Sequence, residues 1–211
     1  MVGPFAENTY LVGDSASGDA LLVDPGGELE RVVALREPGG FRVSRIFLTH
    51  GHVDHVAGCA EAKARLEAPC QIHRADLDWL KALPEQGEMF GFERLDPPSV
   101  EAFHEEGEVV ALGEELGRVL HTPGHSRGSC CLFFEGARVL IAGDTLFAGS
   151  VGRTDLPGGD FAALSRSIRE KLFTLGDDVR FYPGHGPSAL IGDERRSNPF
   201  VGEAAQRGRF L

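Results

Sequence analysis

The chain has 211 residues, of which 42% are hydrophobic and 25% are charged, and its formal net charge is −11 at pH 7. This length and composition are those of a globular protein with one sizeable core, so we predict a single domain over residues 1–211. The acidic charge argues against nucleic-acid binding, because phosphate recognition needs a basic surface. The apolar runs are of strand length, and no basic stretch precedes one at the N-terminus, so we expect neither a membrane span nor a signal peptide.

The N-terminal half alternates short strand patterns with helical patterns. β-Branched or alternating apolar residues between turn residues predict strands, and apolar residues three and four apart predict helices. We predict strands at residues 9–13, 19–23, 43–48 and 71–73, and helices at 29–36, 56–66 and 74–83. The last helix is expected to end at Pro84, because proline interrupts a helix interior.

The C-terminal half is richer in strands. We predict strands at residues 100–103, 108–111, 116–121, 129–134, 139–142 and 178–182, and one long helix at 161–173. The apolar segment Met89-Phe90-Gly91-Phe92 fits either a lid or a packing surface. Helices interspersed between groups of strands predict an α/β fold, a four-layer αββα sandwich of two mixed β-sheets flanked by helices.

The four cysteines lack the spacing of a thiolate zinc site or a disulfide framework. Cys130 and Cys131 are adjacent, and neither Cys59 nor Cys70 has a cysteine three positions away. Unpaired thiols are typical of a reducing compartment, which predicts a cytoplasmic protein.

Metal-ligating side chains are densest in the segment T-H-G-H-V-D-H at residues 49–55. His50 and His52 are two residues apart, so on an extended backbone both imidazoles point to one side. Asp54 and His55 follow where the chain turns into a helix, and they could hold a second cation. Imidazole and carboxylate are natural ligands of zinc, iron and manganese. Since the chain has only eight histidines, this cluster predicts a metal site.

Three further candidate ligands follow predicted strands. They are His125 in T-P-G-H, Asp144 in G-D and His185 in P-G-H-G. The neighbouring glycines permit tight turns, and loops at strand ends are where catalytic groups usually lie. A lone histidine in a turn is weak evidence, but the cluster at residues 49–55 strengthens it. The remaining histidines with no such context, for which we predict structural roles, are His73, His104 and His121.

These motifs, in this order and approximate spacing, resemble the metallo-β-lactamase superfamily over nearly the whole chain. The resemblance is closest to its glyoxalase II (hydroxyacylglutathione hydrolase) branch and to the small single-domain relatives of that branch. Gly152-Arg153-Thr154-Asp155 and the closing segment at residues 194–200 also resemble that branch. The resemblance implies the αββα fold and two divalent metal ions per chain, with zinc favoured over iron or manganese.

The resemblance also implies a ligand set. One ion would be held by His50, His52 and His125, the other by Asp54, His55 and His185, and Asp144 would bridge both. Glyoxalase II carries a C-terminal helical domain that helps to bind glutathione. Only residues 186–211 follow His185, so we expect that domain to be absent here.

The implied activity is hydrolysis of a thioester or small ester by a hydroxide that bridges the two ions. A pair of ions lowers the pKa of a shared water towards ~7 and stabilises the oxyanion of the intermediate. We expect Asp144 and Asp54 to be catalytic, Asp144 by neutralising the ions and Asp54 by orienting the hydroxide. A thiolate leaves without a strong general acid, which favours a thioester. Arg153 could bind a substrate carboxylate, or it could form an ion pair with Asp155.

Other functions stay open on sequence alone. A persulfide dioxygenase of the same superfamily would hold one iron through His50, His125 and Asp144. The P-G-H-G context of His185 resembles the hydrolases instead. A nuclease and a non-enzymatic metal-binding protein fit less well, and so does a β-lactamase, because those enzymes usually lack a histidine at the position of His55. We expect a small-molecule substrate, no nucleic acid and no membrane partner.

Overall fold

The computed structural model describes residues 1–92 and 94–206, and the chain folds as two compact units. The first unit comprises Met1–His104 and Val110–Leu116, and the second comprises Glu105–Val109 and the described residues from Gly117 onward. Within these ranges, none of the helices combines the length and the apolar character that crossing a bilayer requires. That the whole chain is one domain stays a prediction.

The first unit contains a mixed five-stranded sheet, in which the strands follow their order in the chain. The first two strands pair antiparallel and the later pairs are parallel. The second strand is buried from Ala20 to Val23, as expected for a run of consecutive apolar residues. The strands are β1 (Tyr10–Gly13), β2 (Asp19–Val23), β3 (Arg42–Phe47), β4 (Cys70–His73) and β5 (Ala102–His104).

Five helices accompany this sheet. They are α1 (Leu29–Ala34), α2 (Val53–Val56), α3 (Cys59–Leu66), α4 (Leu77–Lys81) and α5 (Leu83–Met89), and a 3-10 turn at Arg74–Asp76 precedes α4. The buried residues of α1 and α3 join those of β2 and β3 in one apolar cluster. This packing leaves the loop after β3 and the start of α2 at one end of the sheet.

Most strands of a mixed six-stranded sheet, in the order β13-β12-β9-β8-β7-β6, belong to the second unit, whereas nearly all of β6 and the first two residues of β7 fall within the residue range of the first unit. β8 pairs antiparallel with β7 and with β9, and β9 pairs parallel with β12. A two-stranded hairpin of β10 and β11 lies outside this sheet. The strands are β6 (Val109–Leu112), β7 (Glu115–His121), β8 (Cys130–Phe134), β9 (Val139–Gly143), β10 (Leu146–Phe147), β11 (Ser150–Val151), β12 (Arg180–Pro183) and β13 (Ala189–Leu190).

The helices of the second unit pack on a separate apolar cluster. Leu164, Ile168 and Leu172 lie about one helical turn apart and are fully buried against sheet residues such as Leu140 and Phe181. The helices are α6 (Phe161–Ser167), which continues as a π-helical segment at Ile168–Leu172, α7 (Ile191–Ser197) and α8 (Glu203–Gln206).

The prediction of an α/β fold with two mixed sheets and flanking helices is confirmed. Several element boundaries were wrong. The helix predicted at residues 56–66 begins earlier, at Val53, and breaks at Gly58, where a side chain would collide with the carbonyl oxygen of Pro25. Pro84 does not end the local helical region but lies in the first turn of α5, where proline is tolerated. The elements β10, β11, β13, α7 and α8 were not predicted.

Candidate metal centre

In the first unit, the segment after β3 presents imidazoles on an extended backbone. His52, at the start of α2, has φ −74° and ψ 148°, and its ring lies 4.7 Å from that of His50, centroid to centroid. Asp54 and His55 lie inside α2, and the ring of His55 is 4.1 Å from that of His50. All three histidines are buried. The cluster therefore concentrates nitrogen and oxygen donors in the interior at the end of one strand.

Asp24 organises this cluster from the end of β2. Its Oδ1 accepts a hydrogen bond from the Thr49 amide at 2.7 Å. Its Oδ2 accepts from the Thr49 hydroxyl at 2.6 Å and lies 2.9 Å from Nδ1 of His55. Asp24, His50 and His55 each have one potential metal-ligand atom within 4.8 Å of the others, so these three residues could hold an ion. Sequence reasoning missed Asp24, although an aspartate directly after the buried run L-L-V is a visible signal.

The hydrogen bonds of this cluster favour one tautomer for His50 and for His55. The Thr49 hydroxyl donates to Asp24, so it accepts from Nδ1 of His50 at 3.0 Å. Nδ1 of His55 likewise faces the Asp24 carboxylate, which favours a proton on that nitrogen. Both rings are thereby oriented with Nε2 as the nitrogen suited to a metal, the usual role of a carboxylate or hydroxyl behind a metal-binding histidine.

Glu7 is a second buried acid behind His55 that sequence reasoning missed. It is 1% exposed, and its Oε2 accepts from the Thr9 hydroxyl at 3.0 Å. Burial raises the pKa of Glu7 to about 9. Gly26 is required beside it, because a side chain there would collide with the carbonyl oxygen of Asp54 and with Glu7 itself.

In the second unit, three candidate ligands lie just after the ends of three strands, at one edge of the sheet. β7 and β9 both run antiparallel to β8, and β12 runs parallel to β9, so β7, β9 and β12 share a direction. His125, Asp144 and His185 follow the carboxyl ends of these strands. His125 and Asp144 are buried, and the His185 side chain is 28% exposed.

Asp144 lies between the two histidines. Its Oδ2 is 3.7 Å from Nε2 of His125 and 3.6 Å from Nε2 of His185. These separations are too long for hydrogen bonds. They are close to the ~3.4 Å between two ligands of one tetrahedral ion with bonds of about 2.0–2.1 Å. Each of the two spacings, Asp144 to His125 and Asp144 to His185, therefore fits a pair of ligands on a divalent metal ion.

The G-R-T-D motif supports this site through its backbone. Nδ1 of His125 lies 2.8 Å from the carbonyl oxygen of Arg153, which leaves Nε2 facing Asp144. Gly152 leaves room for the carbonyl oxygen of Asp144, with which a side chain would collide. The Arg153 guanidinium donates two hydrogen bonds of 2.7 Å to Asp155, which lower the pKa of that carboxyl to about 2. The ion pair, one of the two alternatives for Arg153, is the contact that the structure shows.

The closing segment at residues 194–200 holds the hairpin of β10 and β11 in place. Glu194 accepts from the Gly149 amide at 2.9 Å, and Asn198 donates to the Ser150 carbonyl at 3.0 Å. Both side chains are buried. The hairpin carries Phe147, whose ring lies 6.1 Å from that of His185 in an edge-on arrangement. The closing segment at residues 194–200, which was identified by its resemblance to the family, thus supports the hairpin beside His185 through direct hydrogen bonds.

The other histidines have contacts of a structural kind. The His104 ring stacks on Phe47 at 3.9 Å, His121 lies 2.9 Å from a backbone carbonyl oxygen, and His73 accepts from the amide of Ala75. All four cysteines are free and buried. Met89 and Phe90 are exposed, and Phe90 packs edge-on against Phe5 at 5.2 Å.

Two mixed sheets that present imidazole and carboxylate donors after their strands define an α/β protein with metal-binding capacity. Residues 2–185 match the family model of the metallo-beta-lactamase superfamily, so the chain belongs to this superfamily. It is 37% identical over 202 residues to the hydroxyacylglutathione hydrolase GloC of Haemophilus influenzae, covering 95% of this chain and 95% of that protein.

Two crystal structures agree with this assignment. One, of the BLEG-1 B3 metallo-beta-lactamase, has a TM-score of 0.87 and 32% identity, and covers 95% of this chain and 96% of that one. The other, of TTHA1623 in a di-iron-bound form, has a TM-score of 0.85 and 37% identity, and covers 95% of this chain and 98% of that one. The predicted family and the predicted metallo-β-lactamase fold are confirmed.

Proposed function

We propose that this protein is a metal-dependent hydrolase that cleaves a thioester or a small ester. The observation that carries the proposal is Asp144, whose carboxylate lies at ligand-to-ligand distance from His125 and His185. The buried imidazole cluster of the first unit carries the remaining ligands that we propose. The similarity to a hydroxyacylglutathione hydrolase supports a thioester as the substrate class.

The ligand set that we propose is the one implied by the family. His50, His52 and His125 would hold one ion, Asp54, His55 and His185 the other, and Asp144 both. Zinc is our first choice, and the di-iron form of one structural relative makes iron the leading alternative to it. Two divalent ions in such a site would activate a water as the attacking hydroxide and polarise the scissile carbonyl.

The chain's own residues would prepare this chemistry. Nδ1 of His55 faces Asp24, Nδ1 of His50 faces the Thr49 hydroxyl, and Nδ1 of His125 faces the Arg153 carbonyl. Nε2 of each ring is therefore available to a metal. The carboxylates of Asp54 and Asp144 would offset the positive charge. Asp54 would also accept a hydrogen bond from the attacking water and hold its direction. The thiolate of a thioester then leaves without a general acid.

The test begins with elemental analysis of protein purified without added metal, followed by a panel of acyl thioesters, small esters, a β-lactam and a persulfide. We expect about two ions per chain and thiol release from at least one thioester, lost on chelation and restored by metal. One iron per chain with oxygen uptake on the persulfide would overturn the proposal in favour of the dioxygenase. Turnover of the β-lactam alone would overturn the substrate class.

A histidine variant tests the two-ion assignment separately. His185→Ala should lose about one ion per chain, because His185 is proposed to bind one ion only. His121→Ala is a suitable control, since His121 lies in the same unit and contacts a backbone carbonyl. Unchanged metal content in His185→Ala would contradict a binuclear centre. The cytoplasmic location and the exclusion of nucleic-acid and membrane partners stay predictions, which cell fractionation and binding assays would test.

A further inference from the structure

Gly51, the residue between His50 and His52, is held on both sides by side chains from a later segment of the first unit. Its amide donates to Oδ2 of Asp76 at 3.0 Å. Its carbonyl oxygen accepts from Nε2 of Gln86 at 3.3 Å, and the Val53 amide donates to Oε1 of Gln86 at 3.0 Å. Asp76 and Gln86 are both buried. Three backbone groups around the H-x-H pair thus find their partners in two side chains.

The orientation of the Gln86 amide is set by its own contacts. Nε2 donates to the Trp79 carbonyl at 2.7 Å as well as to Gly51, so both of its hydrogens are used. Turning the amide over would place its oxygen against two carbonyl oxygens and its nitrogen against the amide of Val53. Gln86 therefore recognises the ligand loop in one way only.

The loop also has little room to move. A side chain at Gly51 would lie 2.7 Å from the Cβ of Trp79, and the Trp79 ring packs edge-on against His52 at 4.5 Å between centroids. The 3-10 turn, α4 and α5 together therefore enclose the peptide that joins the two histidines. This segment offers hydrogen bonds and a steric limit, but none of its residues belongs to the proposed ligand set.

We propose that Gln86 is a positioning residue for the metal site, acting through the backbone of residues 51–53. By fixing the Gly51 and Val53 peptides, it would set the separation and direction of His50 and His52 before a metal arrives. The inference rests on the proposed metal role of these histidines. Groups that orient a metal ligand typically change metal affinity by about 10–100-fold when they are removed.

The test compares Gln86→Met with Gln71→Met, two replacements of similar size. Gln71 is buried to the same degree, at 9% exposed against 8%, but its side chain bonds to Arg45 and not to the ligand loop. Cobalt(II) affinity would be measured by chelator competition on the apoprotein, together with the cobalt absorption spectrum and thermal unfolding. We expect cobalt affinity to fall about 10–100-fold in Gln86→Met with an altered spectrum, and both to be unchanged in Gln71→Met.

Gln86→Glu covers the case in which Gln86→Met does not fold. It keeps an acceptor for the Val53 amide but places a carboxyl oxygen against the carbonyl oxygens of Gly51 and Trp79, so its cobalt affinity should fall below that of the wild type and of Gln71→Met. Wild-type affinity and spectrum in the Gln86 variants would overturn the inference, and so would equal weakening in Gln71→Met. If the wild type itself bound no cobalt, the proposed function would fail, whereas cobalt binding that is indifferent to Gln86 would remove the positioning role alone.

Discussion

The two units obtain their proposed metal-binding side chains in different ways. In the first unit, His50, His52, Asp54 and His55 come from one short segment, and separate parts of the chain, at Asp24 and Gln86, hold that segment in place. In the second unit, three single residues come from three strands and are gathered by the sheet itself. A contiguous motif needs orienting partners, whereas dispersed ligands need a shared strand direction.

The largest expected effect comes from a single ligand of the second unit. Asp144→Asn keeps the shape of the side chain but removes the charge proposed to serve both ions. Thioester hydrolysis should fall by more than about 100-fold, because losing a ligand should cost more than losing a partner of a ligand. Steady-state kinetics would measure it, with Asp178→Asn, an exposed ion-pair partner of Arg138, as the control. Near-normal kinetics in Asp144→Asn would contradict its bridging role.

A smaller effect is expected from an orienting group of the first unit. Asp24→Asn leaves a residue of the same size behind His55 but removes the carboxylate that faces Nδ1. Metal affinity should fall about 10–100-fold. The matched control is Asp19→Asn, because Asp19 begins the strand β2 that Asp24 directly follows, and it pairs with Arg42 at the surface. If Asp24→Asn bound metal as tightly as wild type, the segment at residues 50–55 would not need Asp24 to orient its ligands. The proposed difference between the two units would then be wrong.

The second unit's counterpart is the support of the β10–β11 hairpin. Asn198 donates a hydrogen bond to the Ser150 carbonyl and accepts hydrogen bonds from the amides of Phe200 and Val201. Asn198→Ala removes all three hydrogen bonds and leaves these backbone groups without this partner. The free energy of unfolding should fall by about 1–3 kcal/mol in urea titrations. Ser197→Ala, which removes an exposed hydroxyl bond to Asp193, should change it little. Equal losses in both variants would show that the buried network adds nothing specific.

The smallest effect is a pH dependence from the core of the second unit. Burial raises the pKa of the Cys131 thiol to about 11 from an ordinary value of 9.0. Between these values the unfolded chain releases a proton that the folded chain retains, so stability falls as the pH rises from 9 to 11. At pH 10 the ionisation of this thiol in the unfolded chain should lower the free energy of unfolding by about 1 kcal/mol.

The variant that isolates this contribution is Cys131→Ser, since a hydroxyl of similar shape keeps the bonds to Thr122 and Thr145 without ionising in this range. Its unfolding free energy should decline less between pH 8 and pH 10 than that of the wild type. Parallel profiles would show that the thiol does not titrate as its burial requires.

Some of this architecture was predictable because it depends on neighbours in the chain. The bounds of β2 matched the prediction, and those of β9 differed by one residue, since each is a continuous apolar run between turn residues. Pro84 misled the prediction because proline is compatible with a first helical turn and incompatible only with later ones. α7 was missed because its segment, I-G-D-E-R-R-S, shows little apolar periodicity.

The sequence by itself determined the family, the candidate ligands and their order, because a dense run of imidazole and carboxylate groups and the glycine-flanked histidines are visible without coordinates. Only the tertiary structure decided how those groups are supported. Asp24 and Gln86 reach the ligand segment from 25 and 33 residues away, and the support of His125 is the carbonyl of Arg153 and not its charge. Such hydrogen bonds form between backbone and side-chain groups brought together by sheet pairing and packing, and no local pattern of residues encodes them.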